Sequence, residues 1–485
     1  MATPSQHLAT NTLHKIKNSN KPHILCVNPW IHDFAAFDFW AKPLGLLQLA
    51  AIIRESGVSV TFLDCLDRFH PEALRKGKVK LLGDGRGPFR KKSVKPPSQT
   101  LPDLQSTGKR FFRYGIEPEW FYKDLVDLKK ANPPDLILVT SMMTYWASGV
   151  SETISVVKKV FPDTPVVLGG IYASLCREHA EKHSLADQVV TGTGEEVIQD
   201  IVKEYTGYCI TPEKESNHRF QQPTDLENLP FPALDLVSRL TYAPILTSRG
   251  CPFSCDYCAS SFLEKSLRRR SSEKVFQEIA HWHLNYGVKI FAFYDDALLI
   301  QPEKYILPLL EKILCSSFSS DLSFHTPNAL HIRQITREVT EMMYRTGFKT
   351  IRLGLETTDF SPSARADKKV RKEEFHNAVR MLKKAGFTEE QTGAYLLCAL
   401  PGQDLDDVES SIKLVKQSGI TPVLAYYTPI PHTPMWKEAV RNSRFDLEKD
   451  PLFTNNALMP CLKDESEMDK ILQLKKMTSF ISSQK

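Results

Sequence analysis

Residues 249–259 read Arg-Gly-Cys-Pro-Phe-Ser-Cys-Asp-Tyr-Cys-Ala, placing Cys251, Cys255 and Cys258 in one short loop. Three thiolates at this spacing can converge on one soft metal centre. A cubane cluster has four irons, usually held by four thiolates, so a run that stops at three leaves one iron open to a small ligand. From the residues alone, zinc is an alternative: three cysteines completed by a histidine, with His281 and His283 close in sequence. Chance clustering among 10 cysteines is another. The flanks of the loop decide the fold. Pro244-Ile-Leu-Thr-Ser-Arg249 reads as a strand that delivers the loop at its carboxyl end. Ser272 to Tyr286 reads as a helix that Ser271 or Ser272 can cap and Gly287 ends.

This strand-loop-helix unit repeats towards the C-terminus. Further strands are expected to begin at Lys289, Leu322, Thr350, Thr392 and Pro422, with helices near 303–314, 336–346, 371–385 and 404–418 between them. Six such units predict a partial (β/α)6 barrel, whose chemistry sits at the carboxyl ends of its strands.

Towards the N-terminus, short apolar runs again alternate with amphipathic stretches. Strands are expected from His23, Ser59, Asp135, Pro165 and Asp187; helices are expected over Leu44 to Ser56, Glu117 to Ala131, Val150 to Val160 and 173–183. Roughly 70–116 reads as a long irregular segment rich in Gly, Pro, Lys and Arg. Short continuous apolar strands between helices predict a doubly wound, Rossmann-like α/β domain with a parallel sheet covered on both faces. Its ligands are expected at the strand carboxyl ends, which carry Asn28, Asp64, Thr140, Ser141, Gly169, Gly170, Thr191, Gly192 and Gly194. Small residues there permit close approach by a flat or phosphorylated ligand, and tight turns without a ligand would look the same. The expected organisation is a polar tail (1–21), a Rossmann-like domain (22–207), a linker (208–241), a barrel domain (242–437) and a C-terminal tail (438–485) with one helix near 466–479.

Composition bounds the function. At 485 residues the chain needs two or three domains. A net charge of +5 is small for this length and does not by itself imply a nucleic-acid partner; the basic runs Arg90-Lys-Lys and Arg268-Arg-Arg read as solvated loops, and nucleic acid is not the expected partner. No segment approaches the ~18–20 apolar residues that span a bilayer, and the polar first 20 residues lack an apolar signal core. The seven cysteines outside the loop are scattered, which suits reduced thiols and a cytoplasmic location.

The loop resembles the signature of the radical S-adenosylmethionine (SAM) enzymes, in which three cysteines hold a [4Fe–4S] cluster and SAM chelates the open iron. The resemblance implies Cys251, Cys255 and Cys258 as catalytic cluster ligands and Tyr257 as a residue near the adenine. It extends along the barrel. Asp295 and Asp296, ending the second strand, fall where the family binds the methionine amino group, and Asn328 falls where the third strand carries an asparagine to the active site. Ile351-Arg-Leu-Gly-Leu-Glu356 is similar to the family's Gly-x-Glu-Ser segment, which implies Glu356 at the ribose or ammonium and Arg352 offsetting carboxylate charge. Leu400 lies in a segment similar to Gly-Leu-Pro-Gly-Glu near the adenine, departing at Ala399 and Gln403. About residues 22–205 resemble the cobalamin-binding domain that precedes many radical SAM domains, implying cofactor contacts at Ser141, Gly169, Gly170, Thr191, Gly192 and Gly194. The Asp-x-His-x-x-Gly signature that supplies a histidine to cobalt is absent.

What the resemblance implies is reductive cleavage of SAM to a 5′-deoxyadenosyl radical, with an electron donor such as flavodoxin or ferredoxin and a small-molecule or natural-product substrate. Three readings stay open: cobalamin-assisted methyl transfer to an unactivated carbon, a cobalamin-free cyclisation or rearrangement, and, in a different class, a zinc-binding nucleic-acid-interaction module.

Overall fold

The computed structural model describes residues 21–77, 79–210, 225–360 and 370–478. The polar stretch 1–20 and part of the expected linker, 211–224, lie outside the described residues. The N-terminal part contains β1 (His23–Asn28), β2 (Ile31–Asp33), β3 (Ser59–Asp64), β4 (Lys91–Ser93), β5 (Phe112–Tyr114), β6 (Leu136–Val139), β7 (Val166–Leu168) and β8 (Gln188–Val189). Five of them form a parallel sheet in the order β3-β1-β6-β7-β8.

The sheet is doubly wound because alternate residues of each strand point to opposite faces. Leu25, Val27, Ile137 and Val139 pack under helices Pro118–Ala131 and Ala147–Val160, while Ile24, Cys26, Leu136 and Leu138 pack under helices Leu44–Glu55 and Gly194–Thr206. All five expected strands are present. The helix expected over 173–183 is instead two, Ile171–Leu175 and Arg177–His183, broken where Cys176 leaves helical geometry at φ −129°, ψ 48°. The segment read as irregular holds β4 and β5, which join β2 in a small antiparallel sheet. Lys91-Lys-Ser93 and Phe112-Arg-Tyr114 carry no continuous apolar run that would mark them as strands in sequence.

The barrel part contains β9 (Ala243–Ile245), β10 (Ser248–Arg249), β11 (Arg268–Arg269), β12 (Ile290–Phe293), β13 (Ser323–His325), β14 (Phe348–Glu356), β15 (Thr392–Cys398) and β16 (Thr421–Tyr426). Six are parallel neighbours in chain order, β9-β12-β13-β14-β15-β16, as the six expected strand starts require. This is an open, partial (β/α)6 barrel. Its outward-facing Phe291, Phe293, Phe324 and Phe348 stack with centroids 5.3–5.8 Å apart and join the core under the surrounding helices.

The two parts share packing. Leu44 and Leu47 of the first helix belong to the barrel's core. Trp40 stacks on His325 of β13 at 4.6 Å, and the Tyr242 hydroxyl donates to Asp38, which pairs with buried Arg68 at 2.9 Å. The helix expected near 466–479 is Glu465–Thr478, packed on helix Leu405–Gln417 and β16. Just before it, Leu452, Phe453 and Leu458 are buried against Leu397, Leu400 and Tyr427. The basic runs also serve packing: Arg268 pairs with Glu264 and Arg270 with Glu278, while Arg90 and Lys91 lie over Trp120 and Phe112. Among the described residues no helix is long and apolar enough to cross a membrane.

Candidate active site

The loop with the three cysteines leaves the barrel after β9. The antiparallel pair β10–β11 pins its two ends. Asp295, at the end of β12, holds its root: Thr247 donates to that carboxylate through both its backbone N–H and its hydroxyl, and Ser248 Oγ donates at 2.7 Å. Burial raises the Asp295 pKa and these hydrogen bonds oppose the shift. Its neighbour Asp296, in the turn that follows β12, lines the cavity of the cysteines instead.

Cys251, Cys255, Cys258 and Asp296 line one cavity of about 250 Å³, together with Tyr257, Asn328 and Glu356. The Cys258 thiol donates to Ser260 Oγ at 3.2 Å, and Ser260 Oγ donates to Asp296 at 2.9 Å. Burial, with a lesser contribution from Glu264, raises the Asp296 pKa against the Ser260 bond. The Tyr257 hydroxyl donates to Glu356; burial and then that carboxylate raise its pKa well above the phenol range. Glu356 sits at φ +66° where β14 bulges against β15. The Asn328 amide donates to the carbonyls of Tyr294 and Asp295, fixing its position at the cavity edge.

Of the remaining residues expected here, Leu400 packs in an apolar cluster that Tyr257 also touches. Arg352 stands four residues back along β14 from Glu356 and donates to the backbone of Ile351 and Gln391. His281 and His283, weighed as zinc ligands, lie on the outer helix Ser272–Tyr286, where His283 bonds the Val288 carbonyl. The histidine that does reach the cysteines is His331, whose Nε2 is 3.9 Å from Cys251 Sγ. No spacing in the sequence points to it. Among the described residues no group of three His, Cys, Asp or Glu side chains is arranged to hold a single ion.

A second cavity, about 430 Å³, opens at the carboxyl edge of the N-terminal sheet. Gly169, Gly170, Gly192 and Gly194 form its rim with Thr140 and Thr193, and Leu138, Val167, Ile198 and Ile201 its floor. Gly170 has φ +97°, and a Cβ there would fall 2.3 Å from the Ser141 carbonyl oxygen. Ser141 is buried behind this turn, donating to Gly169 O at 2.7 Å; Thr191 is exposed beside it. No histidine lines the cavity, and His32 is held by Ser148 and Glu152 in the small antiparallel sheet region.

The two cavities share Ser260 and Asp296. They are also tied by charge. Arg249, two residues before Cys251, donates to Glu195 at 2.6 Å, with both side chains largely buried. Glu195 lies in the first turn of helix Gly194–Thr206.

The comparisons match this architecture. A family model described as the radical SAM superfamily matches residues 245–415, and one described as the B12 binding domain matches residues 110–202. The chain carries a radical SAM domain. This radical SAM protein is 25% identical over 391 residues to a protein named uncharacterized methyltransferase PH0819 from Pyrococcus horikoshii, covering 75% of the present chain and 80% of that one. It is 25% identical over 345 residues to the anaerobic magnesium-protoporphyrin IX monomethyl ester cyclase of Cereibacter sphaeroides, covering 65% of the present chain and 55% of that one. Its fold matches the radical SAM methyltransferase TsrM from Kitasatospora setae, solved with cobalamin and a [4Fe–4S] cluster, with a TM-score of 0.63 at 14% identity over 96% and 92% of the two chains.

The protein is an enzyme: its radical SAM domain implies a [4Fe–4S] cluster and SAM, and its B12-binding domain supports cobalamin as a further cofactor. The residues present fit these groups. Three thiols and no fourth cysteine line the barrel cavity, which suits a cluster with one open iron. The second cavity combines a glycine rim that brings backbone close with an aliphatic floor, which suits a broad, flat ring.

Proposed function

We propose that the enzyme transfers a methyl group to an unactivated carbon of a small-molecule substrate. The observation that carries this reading is the meeting of the two cavities at Ser260 and Asp296, which puts a methyl carrier and a SAM site against the same substrate space. When bound, the cluster and SAM supply reductive carbon–sulfur cleavage, and cobalamin supplies carriage of the methyl group.

The chain's own residues then have separable tasks. Cys251, Cys255 and Cys258 hold the cluster. Asp296 and Asn328 accept and orient the methionine part of SAM, and Tyr257 with Glu356 orients the nucleoside. Asp295 acts as a positioning residue for the loop through Thr247 and Ser248. The apolar cluster around Leu397, Leu400, Tyr427 and Phe453 closes one side against water, as radical chemistry requires. Gly169, Gly170, Gly192 and Gly194 admit the corrinoid. The ten cysteines are free thiols, consistent with a reducing cytoplasm and with reduction by a flavodoxin or ferredoxin.

Anaerobic reconstitution tests the reading. We expect about four irons per chain, one tightly held corrinoid after growth with cobalamin, and methionine released from SAM with dithionite. A chain that loads the cluster and cleaves SAM but retains no corrinoid would favour ring formation or rearrangement over methyl transfer.

A further inference from the structure

Along β14 burial alternates. Ile351, Leu353 and Leu355 pack into the helix-covered core, while Thr350, Arg352, Gly354 and Glu356 occupy the other face and remain partly accessible. Gly354 and Glu356 line the cysteine cavity. Arg352 lies two residues further from the strand's carboxyl end, about 7 Å beyond Gly354 at the rise of a parallel strand.

The Arg352 guanidinium has unusual company. Its Nη1 donates to the carbonyls of Ile351 at 2.9 Å and Gln391 at 3.1 Å, and among the described residues it meets no carboxylate. Arg68, Arg113, Arg249 and Arg270 each hold an Asp or Glu at 2.9 Å or less; Arg269 also bonds only carbonyls, of Ala297 and Ile300, but has the Asp295 carboxylate nearby. Burial lowers the Arg352 pKa, Tyr395 opposes the shift and the Arg86 cation adds to it. Arg86 is itself matched by Asp84 at 2.6 Å. The fold makes room for this side chain: Gly393 is its partner on β15, and a Cβ there would come within 3.3 Å of Arg352 Cδ and 2.9 Å of Thr421 O. A sheltered, unmatched cation is costly unless an anion joins it, and a guanidinium fork suits carboxylate or phosphate.

We propose that Arg352 anchors an acidic group of the substrate, a carboxylate or a phosphate, so that the rest of the molecule runs along β14 towards Gly354 and the cysteine cavity. The substrate is then an acid whose reacting carbon lies about 7–13 Å from its charge, the span from Arg352 to Gly354 and Glu356. This rests on the radical SAM reading of the cavity. It removes Arg352 from the SAM carboxylate, because the residue stands a full four positions below Glu356.

The test uses the full chain without its cluster, titrated separately with inorganic phosphate and with succinate at constant ionic strength, and binding read from thermal midpoints and calorimetry. At least one probe should raise the wild-type midpoint. Arg352→Met should bind that probe about 10- to 100-fold more weakly, the loss expected for a charged hydrogen bond, and should melt above wild type when no anion is present. Arg352→Lys, which keeps charge but loses the fork, should fall between them and serves if the methionine variant does not fold. Whether phosphate or succinate responds identifies the acid. A wild type that responds to neither probe, or variants that respond as the wild type does, would overturn the proposal. So would a tenfold loss of SAM affinity in cluster-loaded Arg352→Met, which would return the residue to the cofactor. Failure of the wild type to load iron would instead sink the radical SAM reading, which the cluster-free titration does not touch.

Discussion

The two cavities are built in opposite ways. The barrel cavity is walled by side chains that carry chemistry: three thiols, two carboxylates, an amide and a phenol, presented at successive strand ends. The cavity of the N-terminal sheet is walled largely by what side chains leave out, with five glycines and several aliphatic groups among its lining residues. A site of the first kind announces itself through residue identity. A site of the second kind depends on backbone conformation and close approach, so its residues look like ordinary turns until φ angles and distances are known.

The sharpest way to break this contrast is at a thiol. We expect Cys255→Ala to lose the iron chromophore and all SAM cleavage, because three sulfurs are the minimum that leaves a single open iron. Corrinoid retention should survive, since none of the cysteines lines the second cavity. Loss of both cofactors together would show that the cavities are one folding unit rather than two neighbouring sites.

The Glu195–Arg249 pair probes how the two are joined. Removing one partner of a buried ion pair strands the other charge, and Glu195→Gln is expected to destabilise by about 3–5 kcal/mol, measured by denaturant titration. Adding Arg249→Met should recover much of the loss, since no charge is then left unmatched. A Glu195→Gln effect near zero would mean that water reaches the pair and that it does not hold the cavities together.

His325 tests a contact at the other end of the barrel, where Trp40 of the N-terminal part covers it. Burial, with neighbouring cations, pushes its pKa down to about 4 despite Asp84. The unfolded chain takes up this proton near the ordinary histidine value of ~6.5, so its contribution to stability is fully present above that pH. That contribution is lost as pH falls from ~6.5 to ~4, to an extent of about 3 kcal/mol. His325→Gln should flatten that part of the pH–stability curve, with urea midpoints at pH 7, 5.5 and 4.5 as the measurement.

Legibility followed the same division. All six barrel strands and all five strands of the N-terminal sheet could be placed from apolar runs and the breakers between them. The β2-β5-β4 sheet could not, because β4 and β5 lie in a Gly-, Pro-, Lys- and Arg-rich stretch and carry no continuous apolar run. Asp295 and Asp296 were indistinguishable as letters, and only the path of the turn after β12 decides that one roots the loop while the other lines the cavity. Glu195 and Arg249 each stood at the edge of a recognised motif, but a pairing across 54 positions has no local signal. His331 was missed for the same reason: it follows no ligand spacing and reaches Cys251 only through the turn after β13.

Gly170 gives a smaller effect that falls squarely on the glycine-built cavity. Ala there must adopt φ +97° and drive its Cβ towards the Ser141 carbonyl oxygen. The turn is expected to lose about 2 kcal/mol of stability, and corrinoid affinity should fall while iron content stays at the wild-type level. Equal losses of iron and corrinoid would erase the distinction between the two cavities.

The smallest effect comes from the converse case. Ala399, where β15 runs out beside the apolar cluster, also has positive φ, +66°, but is not glycine. Unlike position 170, its Cβ is already accommodated in a buried setting, 2% exposed, so the strain is in the backbone alone. Ala399→Gly removes a left-handed penalty of about 1–2 kcal/mol and gives back a similar amount through the lost methyl contact and the freer unfolded chain. The expected net change is therefore within about 0.5 kcal/mol of zero, read as a nearly unmoved urea midpoint with unchanged slope. A loss instead would show that the methyl group, not the turn, matters at this strand end, and that even here the barrel site is held by side chains.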